Sequence, residues 1–265
     1  MIERSVNNKD LKTYFDGLVE KYNQPDFIPN DPIKIPHQFT LPQDIEIMGF
    51  WSAMLAWGKR VTIINKSLEL IDLMEGRPHE FILNHTEEQR IRFAEFKHRT
   101  FNYTDTLYFL DFLQRFYRKN DSLEDAFARF IKPEDEHVGS GLQGFHDLFF
   151  DADHAPHRTR KHVATPVRKS RCKRLNMFLR WMVRQDKKGV DFGLWNRIRP
   201  DQLLMPLDVH VERVARRFNL IERKQNDFQT VVELTNTLKR FDPKDPVKYD
   251  FALFSIGVLE KDTKK

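Results

Sequence analysis

Apolar residues in the first half of the chain recur at intervals of three and four, the spacing of one face of an α-helix. This spacing predicts helices over residues 10–22, 44–57, 61–74 and 104–117. The second of these is apolar on nearly every face, as in a buried helix. Thr86 and Gln89 match a capping box for a helix that extends to Phe96. Ser122 and Asp125 are placed to cap a further short helix.

The second half of the chain continues the helical pattern. Helices are predicted over residues 142–150, 173–184, 191–198, 227–241 and 247–259, and another begins after Asp208. Asp245 and Pro246 suit the N-cap and first position of the closing helix, and residues 132–141 suit a mobile linker. Because no run alternates as strands do, we predict an all-α protein. We expect one two-lobed helical domain, with lobe A at about 1–60 plus 205–265 and lobe B at about 61–204.

Composition supports helices and a large core. Only 10 residues are Gly and 23 are Phe, while 40% are hydrophobic and 31% are charged. These fractions exclude wholesale disorder, and the scarcity of Gly argues against a sandwich rich in glycine turns.

Several classes of protein are excluded at this stage. With the single cysteine Cys172, the chain has no intramolecular disulfide, multi-cysteine zinc site or iron–sulfur cluster. The N-terminus lacks the apolar run of a signal peptide, and no stretch of about 18 apolar residues is present. We therefore expect a cytoplasmic protein without membrane association.

Positive charge is concentrated in residues 157–188. This segment holds 12 Lys and Arg against one acid, Asp186, in a chain whose net charge is +5. The rest of the chain is therefore net acidic, and the basic segment is a patch suited to a polyanion, nucleic acid above all. The plainer interpretation is a solvated helix face that pairs with acidic residues elsewhere.

Lys173 and Asp208 carry the clearest chemistry. Lys173 opens the basic helix, where nearby positive charge is expected to lower the pKa of its amine. Asp208 directly precedes a helix, where a carboxylate accepts backbone N–H bonds and stays ionised. A neutral amine attacks an electrophilic carbon and a fixed carboxylate stabilises a developing cation, so the pair suits cleavage of an N-glycosidic bond. The alternatives are that Asp208 is only an N-cap and Lys173 only a phosphate contact.

Residues 205–220, MPLDVHVERVARRFNL, resemble the segment with the catalytic aspartate of helix-hairpin-helix DNA glycosylases, the superfamily of endonuclease III and oxoguanine glycosylase. Asp208 falls on that aspartate and His210 on the adjacent histidine. Residues 51–66 and 245–257 are similar to the family's early buried helix and closing helix. The chain as a whole also resembles a bacterial family of conserved hypothetical proteins. The resemblance implies a two-lobed glycosylase fold that flips a damaged base out of double-stranded DNA and needs no cofactor.

The family's hairpin, usually L-P-G-[VI]-G-x-K, aligns with TPVRKSRCK at residues 165–173 through Pro166 and Lys173. The alignment implies Lys173 as the nucleophile. The hairpin glycines are missing here, so basic side chains are expected to hold the phosphates as point charges. The expected DNA contacts are Arg168, Lys169, Arg171, Arg174, His210, Lys59 and Arg60. The 35-residue interval between Lys173 and Asp208 is nearly twice the usual one, as in an archaeal oxoguanine-glycosylase branch.

The resemblance also places Asp250, Phe254 and Trp57 in a base pocket, although a phenylalanine such as Phe254 is more often plain core. Six His and Asp residues between His146 and His157 have no strong metal-ligand spacing, so we predict no metal site.

Three functions remain open from the sequence. The first is a DNA N-glycosylase, with or without AP-lyase activity through Lys173 and Asp208. The second is a catalytically inactive module of the same fold that binds distorted DNA or structured RNA. The third is a helical partner-binding protein without nucleic acid. The sequence indicates neither the lesion nor the oligomeric state.

Overall fold

The structure is a computed structural model that describes residues 8–262. It contains the following α-helices: α1 Asn8–Tyr22, α2 Pro42–Met54, α3 Arg60–Leu73, α4 Pro78–Asn84, α5 Glu87–Arg90, α6 Tyr103–Tyr117, α7 Asp125–Ala128, α8 Gly139–Phe149, α9 Lys173–Val183, α10 Val209–Arg217, α11 Phe228–Lys239 and α12 Asp250–Asp262. Within residues 8–262 no strand is formed, and His98 and Phe101 make an isolated antiparallel pair. The protein is therefore all-α, as predicted. None of the helices over this range is long and apolar enough to cross a bilayer.

Short 3-10 helices connect many of the α-helices. They span Pro25–Asn30, Pro32–Lys34, Pro36–Gln38, Ile91–Phe93, His157–Lys161, Pro166–Arg168, Pro200–Gln202 and Pro246–Tyr249. Most begin with proline, because its fixed φ and missing N–H suit the first position of a helical turn.

The chain divides into two compact units. Unit 1 comprises residues 1–27, 135–138 and 166–265, and unit 2 comprises residues 28–134 and 139–165. These bounds differ from the predicted lobe boundaries at 60 and 204, and the basic segment 157–188 is divided at residue 165. The difference follows from packing, because α2 packs on α3 and α4 and so draws the chain from residue 28 into unit 2.

An aromatic core holds unit 2 together. Phe50 of α2 is fully buried and stacks on Phe109 of α6, with ring centroids 5.6 Å apart. Phe127 and Phe145 are stacked at 4.1 Å, and Phe145 meets Phe50 edge-on at 5.7 Å. Aromatic residues on α2, α6 and α8 therefore form one contiguous cluster, which explains the large number of phenylalanines.

Unit 1 is built around α12, which packs against α1 and α10. Phe15 of α1 is fully buried, and its ring meets Phe218 edge-on at 5.3 Å. Tyr249 is also fully buried just before α12, and its hydroxyl donates to Asp16 of α1 at 2.9 Å. The first contact ties α1 to the end of α10, and the second ties α1 to the turn that leads into α12.

Most of the predicted helices are confirmed within a few residues, but the helix predicted over 191–198 is wrong. Phe192 N donates to the carbonyl of Trp181 at 2.8 Å, and Trp195 N donates to that of Met182 at 2.9 Å. The N–H groups of this segment therefore bond to carbonyls at the C-terminal end of α9, and these carbonyls have no partner within their own helix.

Two other predictions also need correction. The closing helix begins at Asp250 after a 3-10 turn, and the carboxylate of Asp245 does not cap it but accepts from Arg184 Nε at 2.9 Å. The predicted linker 132–141 contains the first residues of α8, and its buried Val138 donates from N to the carbonyl of Gln202 at 2.9 Å. Helix α4 was not predicted, and Pro78 is its first residue.

Candidate functional site

The loop that leads into α9 turns through two left-handed residues. After the 3-10 turn Pro166–Arg168, Lys169 has φ +58° and Cys172 has φ +49°. Lys169 N donates to the carbonyl of Pro166 at 2.8 Å, and the carbonyl of Lys169 accepts from Phe228 N at 3.1 Å. The chain therefore makes a tight turn where the resemblance placed glycines, and it does so with residues that have side chains.

Lys173 is the first residue of α9 and is half-buried. Its Nζ lies 3.6 Å from Sδ of Met177, one turn along the helix. The amine therefore points along the face of α9 that also carries Met177 and Arg180.

Asp208 is the N-cap of α10, as predicted. Its Oδ1 accepts from the backbone N–H groups of His210 at 2.8 Å and Val211 at 3.0 Å. The side chain is half-buried, and the preceding Leu207 is fully buried. Two backbone donors thus hold the carboxylate in one orientation at the start of the helix.

Asp250 at the head of α12 is a buried acid close to α9. The residue is 7% exposed, and its carboxyl accepts from Arg180 Nη1. Burial raises the pKa of Asp250 to about 6, and the nearby charge of Asp208 adds to the rise, while Arg180 and Lys173 oppose it. Lys173 and Asp208 of unit 1 therefore both influence the protonation of this carboxyl.

A buried ion network surrounds Asp250, and sequence reasoning missed it. Arg180 and Arg184, two cations of the basic segment 157–188, are only 3% and 2% exposed. Asp191 accepts from Arg180 Nε at 3.2 Å and from Arg184 Nη1 at 3.1 Å. Asp245 opposes Arg184 from the other side. The recurrence of Arg at positions 180 and 184, one turn apart and between apolar residues, was the available signal.

The predicted DNA contacts of unit 1 fall into two groups. Arg168 and Lys169 are exposed on the loop before α9. Arg171 instead pairs with Glu212 of α10 at 2.7 Å, and burial lowers the pKa of Arg174 to about 10. His210 packs against Gly257, where a Cβ would lie 3.1 Å from the His210 Cβ. Arg168 and Lys169 are therefore the best placed to contact an external phosphate.

The remaining predicted residues are divided between the units. Lys59 and Arg60 are exposed in unit 2, at the start of α3. Trp57 of the same unit is half-buried and stacks on His162, with ring centroids 5.7 Å apart. Phe254 of unit 1 is half-buried against the ring of Phe27 at 6.3 Å. Each unit thus contributes some of the residues assigned to DNA and base binding.

The histidines and aspartates between His146 and His157 pair locally. His154 Nε2 lies 3.0 Å from Oδ2 of Asp111, and His146 Nδ1 lies 3.3 Å from Oδ1 of Asp147. Among residues 8–262, no group of three or more His, Cys, Asp or Glu is arranged to hold a metal ion.

A cavity of about 110 Å³ lies in unit 2. It is lined by Glu75, Arg77, Phe81 and His85 among others, and it contains none of the predicted site residues. The buried His85 accepts from Arg90 Nε at its Nε2, at 3.0 Å. These contacts give His85 a structural role in the wall of the cavity.

Comparison with known proteins identifies a family but no activity. The profile of the family described as "Protein of unknown function (DUF2400)" matches residues 31–259. No curated protein and no solved structure matches the chain. Because the profile spans most of the sequence, the chain belongs to the DUF2400 family.

Proposed function

We propose that this protein is a DNA N-glycosylase of the base-excision-repair type, with an associated AP-lyase activity through Lys173 and Asp208. The observation that supports the proposal is that the charges of Lys173 and Asp208 both act on the pKa of the buried Asp250, at the head of a helix that packs on α10. These residues come from three helices that are far apart in the chain. We propose at the same time that the all-α fold is glycosylase-like and that the partner is double-stranded DNA.

Exposed basic residues on the loop before α9 support DNA binding. Arg168 and Lys169 stand on a turn that leads directly to Lys173, so a phosphate bound there brings the sugar-phosphate backbone toward the amine. Neutralising backbone phosphates releases counterions, so binding is expected to weaken steeply as salt rises.

The chemistry assigned to the pair is displacement at the anomeric carbon. The Lys173 ammonium gives a proton to the departing base, the C1′–N bond breaks with its electrons going to the base, and the resulting neutral amine bonds to C1′. Asp208, held by two backbone donors, stabilises the cationic sugar during this step. The amine then transfers a second proton to the ring oxygen O4′ as the C1′–O4′ bond breaks, which gives a Schiff base between Lys173 and C1′. Loss of a C2′ proton to solvent then eliminates the 3′ phosphate.

Borohydride trapping tests the proposal. Duplexes that contain uracil, 8-oxoguanine or a natural abasic site are incubated with the full chain and sodium borohydride, which reduces a Schiff base to a stable amine. We expect a covalent adduct with wild type and none with Lys173→Gln, while DNA binding changes less than about threefold. Lys187→Gln is the matched control, because it removes an exposed lysine from the same basic segment.

Other outcomes separate the alternatives. A wild-type protein that binds DNA with a steep salt dependence, but neither cleaves nor is trapped, supports the inactive nucleic-acid-binding module. The left-handed Lys169 and Cys172 favour that alternative, because the side chains restrict how closely a phosphate can approach the backbone of the turn. Absence of DNA binding at low salt contradicts both functions and supports the partner-binding protein.

A further inference from the structure

One face of α9 carries a row of cations that continues beyond Lys173. Lys173, Met177, Arg180 and Arg184 recur every three or four residues, so they lie along the same side of the helix. Lys173 is half-buried at the start of this row, whereas both arginines are buried. The reactive amine proposed above is therefore the outer end of a buried row of charges.

Asp250 is the anion that this row meets at the head of α12. Arg180 donates from Nη1 to Asp250 and from Nε to Asp191, so its guanidinium bridges two carboxylates. The same guanidinium lies 4.6 Å from the centroid of the Phe251 ring. Arg180 is thus fixed on three sides, and it fixes the carboxyl of Asp250 in turn.

The position of Asp250 relative to α10 completes the geometry. Helices α10 and α12 pack directly on each other, and Asp208 caps the start of α10. Burial is the main cause of the raised pKa of Asp250, the charge of Asp208 adds to the rise, and Lys173 opposes it. A change in the charge of Asp250 therefore changes its electrostatic interaction with both proposed reacting groups, Lys173 and Asp208.

We propose that Asp250, clamped by Arg180, is a positioning residue of the Lys173–Asp208 centre: its ionised carboxylate adds a second negative charge beside Asp208, and protonating it slows the reaction. The inference rests on the proposed glycosylase function. It goes beyond that function because it assigns an electrostatic role to Asp250, a carboxyl that is hydrogen-bonded to Arg180 and is neither of the two reacting groups.

The physical argument concerns the charge that the site offers to a cationic sugar. An ionised Asp250 reinforces Asp208, whereas a neutral Asp250 leaves the positive charge of Arg180 less opposed near the cationic sugar. At the low effective dielectric of a partly buried site, one such charge changes the rate by roughly tenfold. The raised pKa of Asp250, about 6, places this change in mildly acidic solution.

Other charged groups also face Asp250 or its helix, and the experiment must separate them. They are Arg180 and Lys173 of α9, Asp191 of the following segment, Asp208 and His210 of α10, Lys248 of the turn before α12, and Asp16 of α1. Histidine as a residue type titrates in the same range as the proposed change. His210→Gln is therefore a required comparison.

The kinetic experiment is a pH profile of single-turnover cleavage from pH 5 to 8. It uses the full chain and whichever of the uracil and 8-oxoguanine duplexes the wild type cleaves. We expect the wild-type rate to fall roughly tenfold below pH 6, and Asp250→Asn to have the low rate throughout without that fall. Asp250→Glu should restore the fall in rate below pH 6, because the carboxylate charge returns. His210→Gln should keep this fall, and so should the exposed control Asp26→Asn.

A second measurement does not depend on catalysis. The carboxyl carbon of Asp250 is followed by ¹³C NMR as pH is varied in wild type, Asp208→Asn and Lys173→Gln. We expect the pKa of Asp250 to fall in Asp208→Asn, which removes a like charge, and to rise in Lys173→Gln, which removes an opposite charge. Equal titration of Asp250 in all three proteins overturns the inference.

The two proposals fail differently. If the wild type cleaves and Asp250→Asn retains the full acid fall, this inference is wrong and the glycosylase function stands. If the wild type cleaves neither duplex and gives no trapped adduct, the glycosylase function is wrong and this inference falls with it.

Discussion

Lys169 and Cys172 adopt a backbone conformation that side chains disfavour. Both have positive φ in the turn before α9, where the resemblance to glycosylases predicted a glycine hairpin. A residue with a Cβ in this region costs about 1–2 kcal/mol relative to the right-handed one. Because the backbone of Lys169 is bonded at both ends, the turn keeps its shape without glycine.

Lys169→Gly is expected to be more stable than Lys169→Ala by about 1 kcal/mol. Both variants lose the same exposed charge, but only glycine relieves the left-handed backbone at this position. Urea unfolding of the two variants measures the difference, and their DNA affinities should agree. An alanine variant that equals or exceeds the glycine variant in stability would contradict the argument.

Helices α10 and α12 pack on each other, and Gly257 of α12 lies against His210 of α10. A Cβ on Gly257 would lie 3.1 Å from the His210 Cβ and 3.3 Å from the His210 carbonyl oxygen. Arg213 Nη2 donates to the carbonyl of Gly257 at 2.9 Å across the same contact. Because Gly257 has no side chain, α10, which is capped by Asp208, can pack close to α12, which begins at Asp250.

Gly257→Ala is expected to cost about 1 kcal/mol and to lower the proposed cleavage activity, because α10 must move by a few tenths of an ångström and Asp208 moves with it. Gly17→Ala in α1 is the matched control, since a Cβ there meets no atom within 4 Å. That variant should gain up to about 1 kcal/mol from helix propensity. Urea unfolding and single-turnover cleavage measure both effects, and loss of stability in Gly17→Ala alone would refute the packing argument.

At the scale of the whole molecule, each unit contains a buried aspartate with an opposite shift in pKa. In unit 2, burial raises the pKa of Asp105, but hydrogen bonds from His162, the Asn102 backbone and Thr159 outweigh it and bring the pKa to about 2. In unit 1, burial keeps the pKa of Asp250 at about 6. Acidity therefore affects the stability of the two units in opposite directions.

Stability that depends on Asp105 should be present above about pH 4 and lost as pH falls through about 2, because folding lowers its pKa; the loss is about 2 kcal/mol. Asp250 has a raised pKa, so its contribution is full below about pH 4 and is lost as pH rises through about 6. Urea unfolding from pH 2 to 8 tests both signs. Asp105→Asn should remove the acid loss, whereas the exposed Asp72→Asn should not; acid loss that persists in Asp105→Asn would exclude this origin.

The sequence alone determined the helical class, most of the helices and the cap at Asp208. These features depend on interactions within a few residues, such as the spacing of apolar positions and the bonds from His210 and Val211 to the Asp208 carboxylate. The pairing of Lys173 with Asp208 was also proposed from sequence, through chemistry and a family resemblance.

Only the tertiary structure decided what the buried charges do. Arg180 and Arg184 look like surface residues in the sequence, because their partners Asp191, Asp245 and Asp250 are 7 to 70 residues away along the chain. The same is true of the segment after α9, whose N–H groups bond to another element rather than forming a helix. The local sequence pattern cannot reveal such partners, because tertiary packing determines which polar groups are buried against each other.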